Sequence, residues 1–125
     1  MIFVSHITSP TALRLPVELL CERAREKGIL TLIDGAHVPG HLDLNLEILG
    51  ADFYTGNCHK WMCAAKGTAF LWASDKMKDT LIPLVVGWGN QIPTYGDGYF
   101  IDEHEMLGTK DYSPLISMPF LIKWM

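Results

Sequence analysis

The chain has 125 residues, 49% of them hydrophobic and 19% charged, with a formal net charge of −4. That is one modest α/β-sized domain with a real core, too short for two domains and too apolar for disorder. It has no basic run to serve a nucleic-acid surface and no stretch approaching a membrane span.

The opening MIFVSHITSP has no basic region before its apolar residues and is too short for a signal peptide. The three cysteines, Cys21, Cys58 and Cys63, form no disulfide-like frame, so a reducing, cytoplasmic setting is expected. Four Trp, five Phe and six Met are more apolar surface than so short a domain covers easily. Part of the surface is therefore expected to face further chain or a partner subunit.

Ile2-Phe3-Val4 reads as a short buried strand, followed by a loop from Ser5 to Arg14. Pro16 suits the first turn of a helix. Val17, Leu20, Cys21 and Ala24 then form one apolar face, with Glu18, Glu22, Arg25 and Glu26 largely off it, and Gly28 is a stop. Ile29 to Ile33 has the pattern of a strand covered on both faces, as in a parallel sheet. A short helical turn follows at Leu46–Leu49, then a strand at Asp52-Phe53-Tyr54 and a polar loop from Thr55 to Lys60. Thr68 to Trp72 is the next strand, entered through a Lys66-Gly67 turn, and Asp75 to Thr80 a short helix. Leu84-Val85-Val86 has strand composition. Gly87 to Gly98 is rich in glycine and reads as an irregular loop. A last helix begins at Ser113-Pro114 and carries Leu115, Met118, Leu121 and Ile122. Alternating strands and helices predict an α/β architecture with right-handed crossovers.

Ligands of open α/β sheets bind beyond the carboxyl ends of the strands. Three polar clusters fall at such ends: Ser5 to Thr11, Asp34 to His37, and Thr55 to Lys60. Asp34 directly follows Leu32-Ile33, where a carboxylate loses solvent and needs a cation or good donors. Alone it reads as a turn aspartate before Gly35; with a cationic neighbour it reads as a counter-ion. Lys60 sits in Asn57-Cys58-His59-Lys60-Trp61, where an amine in a partly buried loop beside an aromatic can act as a nucleophile. Thr55, Asn57, His59 and the loop's N–H groups offer donors for a phosphate. A carboxylate and a lysine with phosphate donors at neighbouring strand ends match what pyridoxal phosphate requires.

Ile33-Asp34-Gly35-Ala36-His37-Val38-Pro39-Gly40, Asp52 through Trp61, and Lys66-Gly67 resemble the class V aminotransferase family of fold type I pyridoxal-phosphate enzymes. The wording is nearest its isopenicillin N epimerase-like branch. The likeness extends through Leu107-Gly108-Thr109-Lys110-Asp111 and Ser113-Pro114. It implies part of a large cofactor-binding domain over residues 1–125, with a mostly parallel sheet, flanking helices and pyridoxal 5′-phosphate as cofactor. It implies Lys60 as the Schiff-base lysine, Asp34 on the pyridinium nitrogen and His37 near the phenolic oxygen. Asn57 and His59 match phosphate-side positions. Ser9, with its neighbour Thr8, matches a position near ring and substrate. Thr109 matches a residue that reaches the other subunit's phosphate in the family's homodimers. The expected substrate is an amino acid, and the expected reaction an epimerisation or transamination.

Other readings stand beside this one. Zinc is not expected, because Cys58 and Cys63 lack Cys-x2-Cys spacing. A Cys58–His59 dyad is poor, since adjacent residues of an extended segment face opposite ways. The tryptophans read as core or interface residues. A cysteine desulfurase or C–S lyase-type member of the same family is a lesser alternative: the desulfurase branch needs a nucleophilic cysteine in a later loop, and no segment matches one. A non-catalytic fragment is the alternative of a different class: the family's chains are longer, and none of Arg14, Arg23 and Arg25 matches their substrate-carboxylate arginine.

Overall fold

A computed structural model describes residues 1–90, 99–105 and 107–125. They form two units, one of Met1–Ser74 with Tyr112–Met125, the other Asp75–Asp111.

The first unit is built on four strands: β1 (Ile2–Ser5), β2 (Thr31–Gly35), β3 (Phe53–Asn57) and β4 (Ala69–Ala73), in the order β1-β2-β3-β4. β1, β2 and β3 are parallel, and β4 runs antiparallel to β3. The mostly parallel α/β sheet expected from the sequence is therefore present, with a reversal at its last strand. Thr31, Ile33 and Gly35 are buried on one face of β2, and Leu32 and Asp34 half-buried on the other.

α1 (Val17–Glu26) turns Val17, Cys21 and Ala24 inward, the face its apolar spacing requires. Gly28 follows it at φ 63°, and the Ile29 N–H donates back to the Ala24 carbonyl. That bond draws Ile29 into the helix terminus, so β2 begins later than its apolar run suggests and carries Asp34 within the strand. α2 (Leu46–Leu49) is capped by Asn45, whose side chain accepts from the Ile48 N–H at 3.0 Å. The core joins Val17 and Cys21 of α1 to Ile33 of β2, Tyr54 of β3, Val38 and Leu49.

Two pairs lock the strands sideways. Asp52 Oδ2 accepts from the Thr31 N–H (2.7 Å) and hydroxyl (3.1 Å) in a buried setting. Gly35 is open to the Tyr54 ring: a Cβ there would lie 2.1 Å from its hydroxyl oxygen.

The single helix expected from Ser113 is two, α5 (Ser113–Ile116) and α6 (Met118–Trp124). Pro119 stands in the first turn of α6, where a missing N–H is tolerated but continuation from α5 is not. The second unit contains α3 (Asp75–Lys78), a 3-10 turn at Trp88–Asn90 and α4 (Tyr99–Glu105). α4 was not foreseen; it packs so closely on the 3-10 turn that a Cβ on Gly89 would fall on the Asp102 carbonyl. Leu84-Val85-Val86 forms no strand: its side chains are exposed and it pairs with no strand among the described residues. Most of the loop expected from Gly87 to Gly98 lies outside the described residues. Among the described residues no helix is long and apolar enough to cross a membrane.

Candidate active site

Ser5, Asp34 and Thr55 are register partners across the three parallel strands. The loops after β1, β2 and β3 therefore leave one edge of the sheet, as the polar clusters required. β3 runs on to Asn57 instead of ending at Tyr54, because β4 supplies an antiparallel partner for Thr55, Gly56 and Asn57. Gly56 leaves room where a Cβ would meet the Phe70 ring and Pro39.

Asp34 is half-buried at this edge. Its Oδ1 accepts from the Ala36 N–H at 2.9 Å, closing an Asx-type turn. Oδ2 takes no hydrogen bond among the described residues. The turn bond occupies one oxygen only, so the turn reading does not exclude the counter-ion reading.

Lys60 stands on a loop tied at its base. Cys58 and His59 donate N–H bonds to the Thr68 carbonyl, Ala64 donates to Cys58, and Cys63 donates to Lys60 itself. Its Nζ is 3.2 Å from His37 Nε2. Trp61 Nε1 donates to His37 Nδ1 at 3.3 Å, and the Trp61 and His41 rings lie 4.7 Å apart. Trp61 is 53% exposed and so, of the core or interface positions expected for the tryptophans, does not take the core one. Its bond to His37 was missed, and adjacency to Lys60 was the only signal for it.

His59 Nδ1 lies 2.8 Å from the Thr68 carbonyl and so donates to it. Nε2 is then an acceptor in the neutral ring and a donor only in the protonated one. Asn57 is half-buried at the end of β3. Thr8 accepts from the Leu13 N–H at 2.9 Å and meets the Thr11 hydroxyl at 2.6 Å, so its hydroxyl braces its own loop. Ser9 is exposed in that loop. Thr109 is exposed in the second unit.

Burial pushes the Cys58 thiol up, away from the thiolate a nucleophile needs. Among the described residues no group of three or more His, Cys, Asp or Glu is placed to hold a metal. A concavity of about 470 Å³ lies elsewhere, lined by His6, Glu18, Glu22, Arg25 and Asp43, among others, and by none of the residues around Lys60.

The family model for class V aminotransferases matches residues 1–125. An isopenicillin N epimerase from Streptomyces clavuligerus is 38% identical over 95% of the chain, which covers 32% of that protein. A probable L-cysteine desulfhydrase from Arabidopsis thaliana is 32% identical over 97% of the chain and 25% of its own length. A solved cysteine desulfurase from Thermococcus onnurineus superposes with a TM-score of 0.81 at 26% identity, over 98% of this chain and 31% of that one. The chain thus spans a quarter to a third of these relatives. Its sheet is that of the fold type I enzymes. With the matched model covering every residue and the epimerase likeness running nearly end to end, the chain belongs to the class V aminotransferase family.

Proposed function

We propose that the protein is a pyridoxal-phosphate-dependent enzyme acting on amino acids, with Lys60 as the residue that takes up the cofactor's aldehyde carbon. The observation that carries this reading is the Lys60 amine beside His37, on the sheet edge that also carries Asp34. The donor set fits the group: an amine, a half-buried carboxylate with one oxygen unbonded, an imidazole, and the amide of Asn57 near His59. When bound, pyridoxal phosphate supplies a carbonyl that condenses with amines and a ring that accepts electrons from the amino acid's α-carbon.

Asp34 would keep the ring nitrogen protonated by charge pairing. Lys60, its amine released by the incoming substrate, would take the α-proton as general base and return it. Delivery of a proton to the opposite face, by a donor on that side, would invert the centre, the epimerase outcome that the likeness to isopenicillin N epimerase supports. Asn57 and His59 would hold the phosphate, and Thr8 and Ser9 would border the substrate. Thr109 would reach the phosphate of a partner copy in a homodimer.

A lyase reading shares the first steps and is supported by the L-cysteine desulfhydrase relatives. In that case Lys60 would take the same proton and the sulfur would leave from the β-carbon. Borohydride treatment after adding pyridoxal phosphate is expected to fix the cofactor to the Lys60 peptide. Fixation persisting in Lys60→Ala would overturn the reading. Deuterium exchange at the α-carbon with inversion supports the epimerase outcome; sulfide release from L-cysteine supports the lyase. Neither activity in the cofactor-loaded protein would leave a non-catalytic chain.

A further inference from the structure

The cluster at Lys60 contains one hydrogen bond whose direction chemistry fixes. Indole nitrogen carries a hydrogen and no acceptor lone pair. In the Trp61–His37 contact, at 3.3 Å, Trp61 therefore donates and His37 Nδ1 accepts. A neutral imidazole with Nδ1 accepting carries its hydrogen on Nε2. Nε2 is the atom 3.2 Å from Lys60 Nζ. An ammonium has donors only, so the lysine partner that completes this chain of bonds is the free amine. In the opposite arrangement Lys60 donates as an ammonium and His37 carries its hydrogen on Nδ1, which leaves the Trp61 N–H facing another hydrogen.

From this geometry we infer that Trp61 is a positioning residue: it holds His37 in the Nε2–H form and so sets which hydrogen-bonding face of the imidazole meets the Lys60 nitrogen. Its bearing on the chemistry rests on the reading of Lys60 as the cofactor's lysine. Trp61 is itself held in place. The His41 ring lies against it at 4.7 Å, and His41 Nδ1 meets the His37 carbonyl at 3.1 Å, so the brace and the acceptor belong to one turn. That turn packs backbone to backbone on the lysine loop. Gly40 has φ 76°, and a Cβ there would fall 2.8 Å from the Met62 nitrogen and 2.9 Å from the Trp61 carbonyl carbon. A turn closed at this spacing fixes the distance from indole to imidazole.

The test compares the protein with Trp61→Phe, which removes the donor and keeps an aromatic face at a half-exposed position. Imidazole nitrogens labelled with 15N, with the His37 signals assigned by their loss in His37→Gln, are expected to show a pyridine-type Nδ1 and a pyrrole-type Nε2. In Trp61→Phe the balance is expected to move toward the Nδ1–H form by about two- to tenfold, the range of one ordinary hydrogen bond. A pyrrole-type Nδ1 in the unmodified protein, or a tautomer balance indifferent to Trp61→Phe, overturns the inference while leaving the proposed function standing. A tautomer shift in a protein whose Lys60 never takes up the cofactor supports the Trp61–His37 relation and overturns the function instead.

Discussion

The Tyr54 hydroxyl lies 3.0 Å from His6 Nδ1, joining the end of β1 to the middle of β3 across a separation of 48 residues. Both side chains are buried, and the two rings meet edge to face. Among the described residues His6 Nε2 makes no hydrogen bond, and it faces Glu18 at 4.0 Å. Burial pulls the His6 pKa down, opposed by the Glu18 charge and helped by Arg14. Burial pushes the Tyr54 phenol well up, with the Asp34 and Glu18 charges adding to it. The phenol therefore stays protonated wherever the fold is stable.

The lowered His6 pKa has a signed consequence. The unfolded histidine binds a proton near its ordinary value of 6.5, and the folded one only at lower pH. The unfolded state thus binds more protons as pH falls below that value, and stability falls with it. His6's contribution is complete above the ordinary value and is lost as pH drops through the folded one. Urea unfolding from about pH 7 to about pH 5 is expected to show a falling midpoint. His6→Gln should flatten the slope, and an unchanged slope would contradict the assignment. Tyr54→Phe keeps the ring and strands Nδ1, at an expected cost of about 1–2 kcal/mol.

Asp34→Asn separates the two duties of that side chain. The amide oxygen can still accept from Ala36, as Oδ1 does at 2.9 Å, so thermal stability is expected to change by less than about 0.5 kcal/mol. The negative charge is gone, and α-proton exchange by the cofactor-loaded protein is expected to slow by several orders of magnitude, with the cofactor still fixable on Lys60. Near-normal exchange in a well-folded Asp34→Asn protein would remove the counter-ion role.

Asp52 lies at the opposite end of the strands and takes no part in the proposed chemistry. It accepts twice from Thr31 with almost no solvent exposure. Asp52→Ala is expected to cost about 3 kcal/mol, because it strands a buried N–H and hydroxyl beneath β2. Denaturant unfolding measures it. A loss under about 1 kcal/mol would mean that water replaces the carboxylate.

Gly35→Ala places a methyl carbon on the Tyr54 ring, where β2 and β3 have no slack. A loss of about 2–3 kcal/mol is expected, with the His6 tautomer disturbed because the phenol must move. In the double variant with Tyr54→Leu the penalty should largely vanish. Additive losses would instead place the strain elsewhere.

The parallel strand ends were legible because each apolar run stops at a polar cluster, and Asp34 and Lys60 stood in the second and third of these. The direction of β4 was not, since Ala69-Phe70-Leu71-Trp72-Ala73 has the same apolar character whichever way it runs. Cross-strand hydrogen bonding to Asn57 decides it, and that also turned the start of a supposed loop into strand. His37 was found as a neighbour of Asp34, but its bond to Trp61 needs the turn at Gly40 to close on Met62. His6 and Tyr54 each look like an ordinary residue at a strand end or in a strand. Only the fold brings an imidazole to a phenol 48 residues away. The split at Ser117 has its signal in Pro119, which starts α6 but cannot continue α5, although the apolar spacing alone spans both.

The reversal at β4 bears on how Lys60 moves. A lysine on a crossover between parallel strands hangs from one strand and can swing with its loop. Lys60 hangs between two strands zipped together from Asn57 and Ala69 onward, with Cys58, His59 and Ala64 bonded across the neck. The loop is tied at its neck, so the amine's reach is set chiefly by the torsions of its four-carbon stem. Under the proposed chemistry, both the carbonyl and a substrate's α-carbon would then have to come within one lysine stem's length of the same Cα.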